Sequence, residues 1–133
     1  MTRTHIAIVR PFAAEALLSG NKRIETRFYQ QRRPPFGQIA AGEIVHFKIS
    51  GGDLIGCPQV TEAKELESLS PGAIRRIRSR FNHAILAPRE YWAARDLCRL
   101  GILIWLTPLT RPSRPVVIPR QFGAGWIILD TAP

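Results

Sequence analysis

The stretch Pro11-Phe-Ala-Ala-Glu-Ala-Leu-Leu-Ser-Gly20-Asn-Lys22-Arg-Ile-Glu25-Thr-Arg27-Phe-Tyr29 joins a short helix to a strand. Pro11 suits the first position of a helix, because the N–H that proline lacks would have no partner there. Apolar residues then recur at helical spacing, and Gly20 is typical of a residue that ends a helix. The following residues alternate with a period of two. We therefore predict a helix over residues 11–19 and a strand over residues 22–29.

Three charged side chains meet at this junction. Glu25 and Arg27 are two residues apart and so share one face of the predicted strand, while Lys22 lies where the strand begins. Lysine and arginine donate hydrogen bonds to a phosphate, and glutamate accepts them from the amine of a base. The alternative is a surface ion-pair ladder, in which Glu25 only neutralises its neighbours. The spacing alone leaves both interpretations open.

The rest of the chain predicts further short strands and two more helices. We expect strands over residues 5–9, 42–49, 54–63, 100–106, 116–118 and 126–129. A second helix begins at Ser70-Pro71 and carries an apolar stripe as far as Phe81, and a third helix covers residues 88–97. No linker or repeat divides the chain, so we expect one domain over residues 1–133. This order of elements predicts the α+β class and a small, partly open β-barrel with helices on its outside.

Length and composition exclude several classes of protein. The chain has 133 residues, of which 45% are hydrophobic and 22% are charged, which argues against disorder. No apolar run approaches the ~18 residues that span a bilayer, and no signal segment follows the first residues. Cys57 and Cys98 form no metal-binding spacing. We expect a cytoplasmic protein with buried thiols and without a membrane partner, a metal or another cofactor.

The net charge favours an anionic partner. Nineteen lysines and arginines oppose ten acidic residues, which leaves +9, and sixteen of the nineteen are arginines. An excess of this sign favours a polyanion, and most simply a nucleic acid. Part of it lies on the second predicted helix, at Arg75, Arg76, Arg78 and Arg80. The alternative is a GC-rich genome that inflates the arginine content, with the charge lying on a solvated surface.

The motif Gly20-x-Lys22-x-x-Glu25-x-Arg27, after a helix of the form Pro-Phe-x-x-x-x-Leu-Leu-x-Gly, resembles the signature of the ASCH (activating-signal-cointegrator homology) domain. Gly42-Glu43-x-Val45, Tyr91-Trp92 and Gly125-Trp126 resemble further positions of that family, so the likeness covers nearly the whole chain. The resemblance implies a PUA-like β-barrel with flanking helices and a cleft that the motif lines. It also implies an association with RNA or another nucleic acid.

Members of this family differ in activity. Some are amidohydrolases that act on acetylated cytidine, and in those a threonine takes the place of Glu25, so the candidate nucleophile is absent here. Thr26 has the opposite parity on the strand, and the later glutamate of those members has no clear match. Other members are ribonucleases, for which His46 and His83 are candidate acids or bases, although a lone histidine is more often structural. If the chain is an enzyme, Lys22 and Glu25 are the expected catalytic residues.

Of these functions, binding of RNA or of single-stranded nucleic acid requires the fewest specific residues. It needs a basic groove and a few rings on which bases stack. Tyr29 has the outward parity of a stacking residue, whereas we expect Phe28 in the core. A nucleoside or nucleotide is the alternative ligand, and the oligomeric state is left open. The predicted ligand-binding residues are Lys22, Glu25, Arg27, Tyr29, Arg32 and Arg33.

Overall fold

The computed structural model describes residues 2–111, 118 and 125–129, and this part of the chain forms seven strands and three helices. The elements are β1 (Thr4–Val9), α1 (Pro11–Leu18), β2 (Ile24–Tyr29), β3 (Ile44–Ile49), β4 (Leu54–Gly56), β5 (Val60–Leu66), α2 (Pro71–Ile85), α3 (Arg89–Ala93), β6 (Leu100–Leu106) and β7 (Trp126–Leu129). The predicted α+β class is confirmed. Of the strand predicted over residues 116–118, only Ile118 lies among the described residues.

The described strands form two sheets. The order in the four-stranded sheet is β4-β3-β1-β7, with β1 and β3 parallel, and the order in the three-stranded sheet is β2-β6-β5, which is antiparallel throughout. Main-chain hydrogen bonds of 2.8 Å from Gly42 to Val60 and from Val60 to Glu43 join the two sheets at one corner. The described strands are thus two sheets that share a corner, and β2 is an edge strand.

The single strand predicted over residues 54–63 is wrong in one respect, because the structure divides it into β4 and β5. The division falls at Cys57 and Pro58. Proline has no N–H to donate to a ladder, so a strand is interrupted where it occurs. Before Pro58 the chain pairs with β3, and after it the chain pairs with β6 in the other sheet.

Two apolar cores lie on opposite faces of β6. Ile102 and Ile104 pack into the core between the sheets, with Val45 and Phe47 of β3. Leu103, between them in sequence, packs into the core beneath the helices. That second core also contains Ile24, Phe28, Ile85 and Trp92. The period of two along β6 therefore separates the cores, and the burial predicted for Phe28 is confirmed.

The helices follow the sequence prediction at their starts more closely than at their ends. The Ser70 hydroxyl caps α2 by accepting a hydrogen bond of 3.1 Å from the Ala73 N–H. The third helix ends at Ala93, four residues earlier than predicted. Beyond it, Arg95 and Cys98 donate their N–H groups to carbonyls three residues back, at 3.1 and 2.9 Å, which makes tighter turns than an α-helix.

Three further observations concern the described residues. Cys57 and Cys98 are buried free thiols. Within the described ranges, no group of three or more His, Cys, Asp or Glu side chains is placed to hold a metal ion. None of the three described helices has the length and apolar character that a bilayer crossing requires.

Candidate functional site

The three motif side chains converge in a buried ionic chain centred on Glu25. One oxygen of the carboxylate, Oε1, accepts a hydrogen bond of 2.9 Å from the Thr26 N–H and lies 3.6 Å from Lys22 Nζ. The other, Oε2, accepts a hydrogen bond of 3.3 Å from Arg27 Nη2. Both Lys22 and Glu25 are buried, whereas Arg27 is half-buried. Along this buried ionic chain, a cation, an anion and a second cation follow one another.

The ionisation of each side chain in this ionic chain depends on the charges of its neighbours. Burial opposes the ionisation of Glu25, but the charges of Lys22 and Arg27, with the Thr26 N–H, lower the pKa of its carboxyl below the ordinary value. Burial also lowers the pKa of Lys22, and the Glu25 carboxylate only partly offsets that effect. Glu25 is therefore an ionised carboxylate at neutral pH.

Each end of the ionic chain is fastened to a different part of the fold. Lys22 Nζ donates a hydrogen bond of 2.7 Å to the Ile85 carbonyl at the end of α2, where the partial negative charge of the helix favours a cation. Arg27 donates to the Ile8 carbonyl at 3.1 Å and to the Gly125 carbonyl at 3.3 Å, both at the four-stranded sheet. The motif thus connects the helical layer with that sheet.

An open cleft lies beside Glu25 and Arg27. It is bounded by the junction of β1 and α1, by the edge strand β2, and by α3 with the turn that follows, and its cavity volume is about 390 Å³. Its lining includes four arginines, namely Arg10, Arg27, Arg33 and Arg95. Glu25 is the acidic residue of the lining. The charge of the cleft therefore favours an anionic ligand.

Two buried polar atoms of the lining have no hydrogen-bond partner among the described residues, namely Thr26 Oγ1 and Arg95 Nε. Arg95 lies against Tyr91, with its guanidinium carbon 4.0 Å from the centroid of the ring. Tyr91 donates a hydrogen bond of 3.2 Å to the Thr26 carbonyl, and burial raises the pKa of its hydroxyl. An unpartnered buried polar atom costs about 1–3 kcal/mol. Both atoms are enclosed by the protein and have almost no accessible surface.

The predicted site residues fall into two groups. Glu25, Arg27, Tyr29 and Arg33 line the cleft. Tyr29 is half-buried and donates to the Pro34 carbonyl at 3.0 Å, and burial raises its pKa to about 12.

The other two predicted residues do not line the cleft. Lys22 lies behind Glu25 and contacts the Ile85 carbonyl instead. Arg32 pairs with Glu67 at 3.2 Å, and its guanidinium carbon lies 5.0 Å from the centroid of the Phe36 ring. Lys22 and Arg32 therefore interact with other parts of the protein, and neither side chain lines the cleft.

The two candidate histidines also lie elsewhere. His46 is buried within β3, where burial lowers the pKa of its ring, and His83 is exposed in the last turn of α2. Neither belongs to the lining of the cleft. The cleft therefore contains none of the imidazole groups that sequence reasoning considered for a ribonuclease.

Sequence reasoning missed four polar residues of the lining, namely Arg10, Thr26, Tyr91 and Arg95. One signal was present for the last two. Tyr91 and Arg95 are four residues apart, a spacing that places two side chains on the same face of a helix. Nothing in the sequence indicated that this face lies opposite β2, because that contact joins segments about sixty residues apart.

Comparison with known proteins supports the architecture. No family model matches the chain, and no curated protein does. The crystal structure of ASCH from Zymomonas mobilis is similar, with a TM-score of 0.70 and 16% identity over 96% of this chain and 87% of that one. A variant of that protein with phenylalanine in place of a tyrosine also has a TM-score of 0.70 and 16% identity, over 96% and 90%.

A third solved structure is more distant. The hypothetical protein PH0355 has a TM-score of 0.54 and 18% identity, over 78% of this chain and 97% of that one. At sequence identities this low, the structural likeness establishes a shared fold alone. The paired sheets, the flanking helices and the coverage of nearly the whole chain lead to one conclusion. This chain has the fold of the ASCH domain.

Proposed function

We propose that this chain is a single RNA-associated domain of the ASCH family, with a PUA-like barrel, that works in the cytoplasm. Its cleft binds one nucleotide unit of single-stranded RNA or a nucleotide-like ligand. One observation carries the proposal: a cleft of about 390 Å³ has four arginines in its lining against one carboxylate, that of Glu25. RNA is the polyanion that the family resemblance implies.

The lining matches the parts of a nucleotide. Guanidinium groups donate paired hydrogen bonds to phosphate oxygens, and Arg33 and Arg95 carry no protein carboxylate among the described ion pairs. Tyr29 supplies a ring on which a base or ribose can pack. A carboxylate has about four acceptor positions, so Glu25 retains capacity for a base amine beside its existing donors. The cavity volume lies within the range of sites for small ligands.

Hydrolysis in the same cleft, of RNA or of acetylated cytidine, is the second candidate function. It is favoured by the ionised carboxylate of Glu25 in the lining, which is the group that would act as a general base. The hydrogen bonds that Glu25 already accepts make it a weaker base, and Lys22 is directed to the Ile85 carbonyl. We therefore propose binding as the primary function.

The experiment compares two neighbouring arginines. Arg33 lines the cleft, whereas Arg32 next to it pairs with Glu67, and both are exposed with the same charge. Binding of the four nucleoside 5′-monophosphates to the wild type, Arg33→Gln and Arg32→Gln is measured by calorimetry. We expect Arg33→Gln to weaken binding about tenfold, as the loss of a charge-assisted hydrogen bond does. Arg32→Gln should bind as the wild type does.

Mass spectrometry of the same mixtures, with acetylated cytidine and a short RNA added, measures turnover. Retention without cleavage or deacetylation supports binding as the function. Turnover that Glu25→Gln abolishes would establish the hydrolase instead. Absence of binding to any monophosphate, or equal loss in both arginine variants, would contradict the cleft as the nucleotide site.

A further inference from the structure

A second basic depression lies between α2 and α3. We call it the α2–α3 groove, and its cavity volume is about 190 Å³. Buried Ile74 and Trp92 belong to its lining, beside three exposed arginines, Arg75, Arg78 and Arg89. The lining also contains Asp96. Three cations and one anion leave the groove with an excess of positive charge.

The arginines of this groove lack the acidic partners that a surface ion-pair network would supply. The α2 helix contains no aspartate or glutamate between Pro71 and Ile85. Among the described residues, no ion pair joins Arg75, Arg78 or Arg89 to a carboxylate. The guanidinium donors of the groove are therefore available to phosphate oxygens.

The third helix and the turn after it form a wall that the groove shares with the cleft. Tyr91 and Arg95 line the cleft, whereas Trp92 and Asp96, the next residue in each case, line the groove. The two depressions thus lie on either side of one short segment. A helix with its side chains is about 10–12 Å in diameter, so a mononucleotide in the cleft cannot reach across it, but a longer strand can.

We propose that the α2–α3 groove binds the phosphate backbone of the same RNA strand whose nucleotide occupies the cleft. The strand passes over α3, and Arg75, Arg78 and Arg89 contact its phosphates on the far side of that helix. This inference rests on the proposed function of the cleft. It extends that function by making the ligand a single strand of several nucleotides.

The helix α2 offers a matched control for this proposal. Arg75 and Arg78 line the groove, whereas Arg76 and Arg80 are also exposed on the same helix but do not belong to the lining. The variants Arg75→Gln/Arg78→Gln and Arg76→Gln/Arg80→Gln therefore change the net charge by the same amount. An RNA of eight uridines, labelled at one end, and uridine 5′-monophosphate are the probes. Binding is measured at several salt concentrations.

We expect the wild type to bind the RNA of eight uridines more tightly than the monophosphate. The Arg75→Gln/Arg78→Gln variant should lose about tenfold in affinity for the RNA, and its salt slope should fall by about 1.4, as expected for two lost contacts to a single strand. Its affinity for the monophosphate should not change. The control pair should keep the salt slope of the wild type.

Two results would overturn the proposal. Equal losses in both pairs would mean that net charge, and not the groove, determines affinity. Equal binding of the monophosphate and the RNA would mean that nothing beyond the cleft contributes. Either result leaves the cleft itself intact if the monophosphate still binds, whereas failure of the monophosphate to bind would contradict the proposed function first.

Discussion

The guanidinium carbon of Arg95 lies 4.0 Å from the centroid of the Tyr91 ring, one helical turn earlier in sequence. The contact holds Arg95 against the wall of the cleft and leaves its Nε buried without a partner among the described residues. A cation over an aromatic ring is stabilised by about 0.5–2 kcal/mol, more when it is desolvated. Tyr91 is thus a positioning residue for the arginine.

The first prediction concerns this pair. Tyr91→Leu removes the ring, so Arg95 loses its orientation, and we expect affinity for a nucleoside monophosphate to fall about fivefold, as the loss of about 1 kcal/mol implies. Tyr91→Phe keeps the ring and removes the hydroxyl that donates to the Thr26 carbonyl. It should bind within about twofold of the wild type. Equal losses in the two variants would assign the effect to the hydroxyl.

The second prediction concerns Lys22, which contacts the Ile85 carbonyl and Glu25 in a buried position. We expect Lys22→Met to lower the free energy of unfolding by about 3 kcal/mol, because buried Glu25 keeps only one of its two cations and the Ile85 carbonyl loses its donor. The control is Lys64→Met on the exposed face of β5, which should change stability by less than about 0.5 kcal/mol. Urea denaturation measures both, and similar stability of the two variants would show that Lys22 is not structural.

The third prediction concerns the packing of Gly101 in β6. A Cβ atom at this position would lie 2.7 Å from Cδ1 of the Phe28 ring and 3.2 Å from Leu69 Cδ1. We expect Gly101→Ala to destabilise the protein by about 1–3 kcal/mol, because a buried ring has little room to move. Gly72→Ala in α2, where the nearest atom is the flexible end of Arg76 at 3.5 Å, should be neutral or stabilising. Thermal unfolding of both variants tests the difference.

The fourth prediction concerns acid. His5 is buried, with its Nε2 2.8 Å from Glu43 Oε1 and its Nδ1 accepting from the Trp126 indole at 3.0 Å. Burial lowers the pKa of His5 below 6.5, despite the opposing effect of Glu43. Burial opposes the ionisation of Glu43, yet hydrogen bonds from His5 and from main-chain N–H groups lower its carboxyl pKa below 4.5. The pKa of Glu25 is lowered too.

The pKa values of His5, Glu25 and Glu43 are all lower in the folded protein than their ordinary values. As pH falls below 6.5, the unfolded chain binds a proton at His5 that the folded chain does not, and below 4.5 the same holds for the two carboxyls. We therefore expect the free energy of unfolding to decline as pH falls below 6.5 and to decline more steeply below pH 4.5. Urea denaturation across this range measures it. An NMR titration in which the His5 ring protonates at or above its ordinary pKa would contradict the prediction.

Local pattern was sufficient to predict most of the elements. The period of two along β2 placed Glu25 and Arg27 together, and Ser70 with Pro71 marked the start of α2, as the structure has it. The break at Pro58 was visible as a proline within a strand, but a change of sheet is a long-range event. No local signal distinguishes it from a bulge.

The site was less predictable, because its residues are joined by tertiary contacts. The motif identified Lys22, yet the direction of its side chain depends on the Ile85 carbonyl, which lies 63 positions further along the chain. Arg32 and Arg33 are indistinguishable by sequence, and only the position of Glu67 separates them. The α3 wall depends on where the core beneath the helices places a five-residue helix.

The buried ionic chain of Lys22, Glu25 and Arg27 determines which residues of the cleft can change in evolution without loss of the fold. These side chains fasten the end of α2 to the four-stranded sheet, so they serve as scaffold even where they border the cleft. Arg33 and Arg95, which also line the cleft, form no ion pair with a carboxylate among the described residues. Substitutions at Arg33 and Arg95 can therefore alter ligand preference while the architecture stays intact.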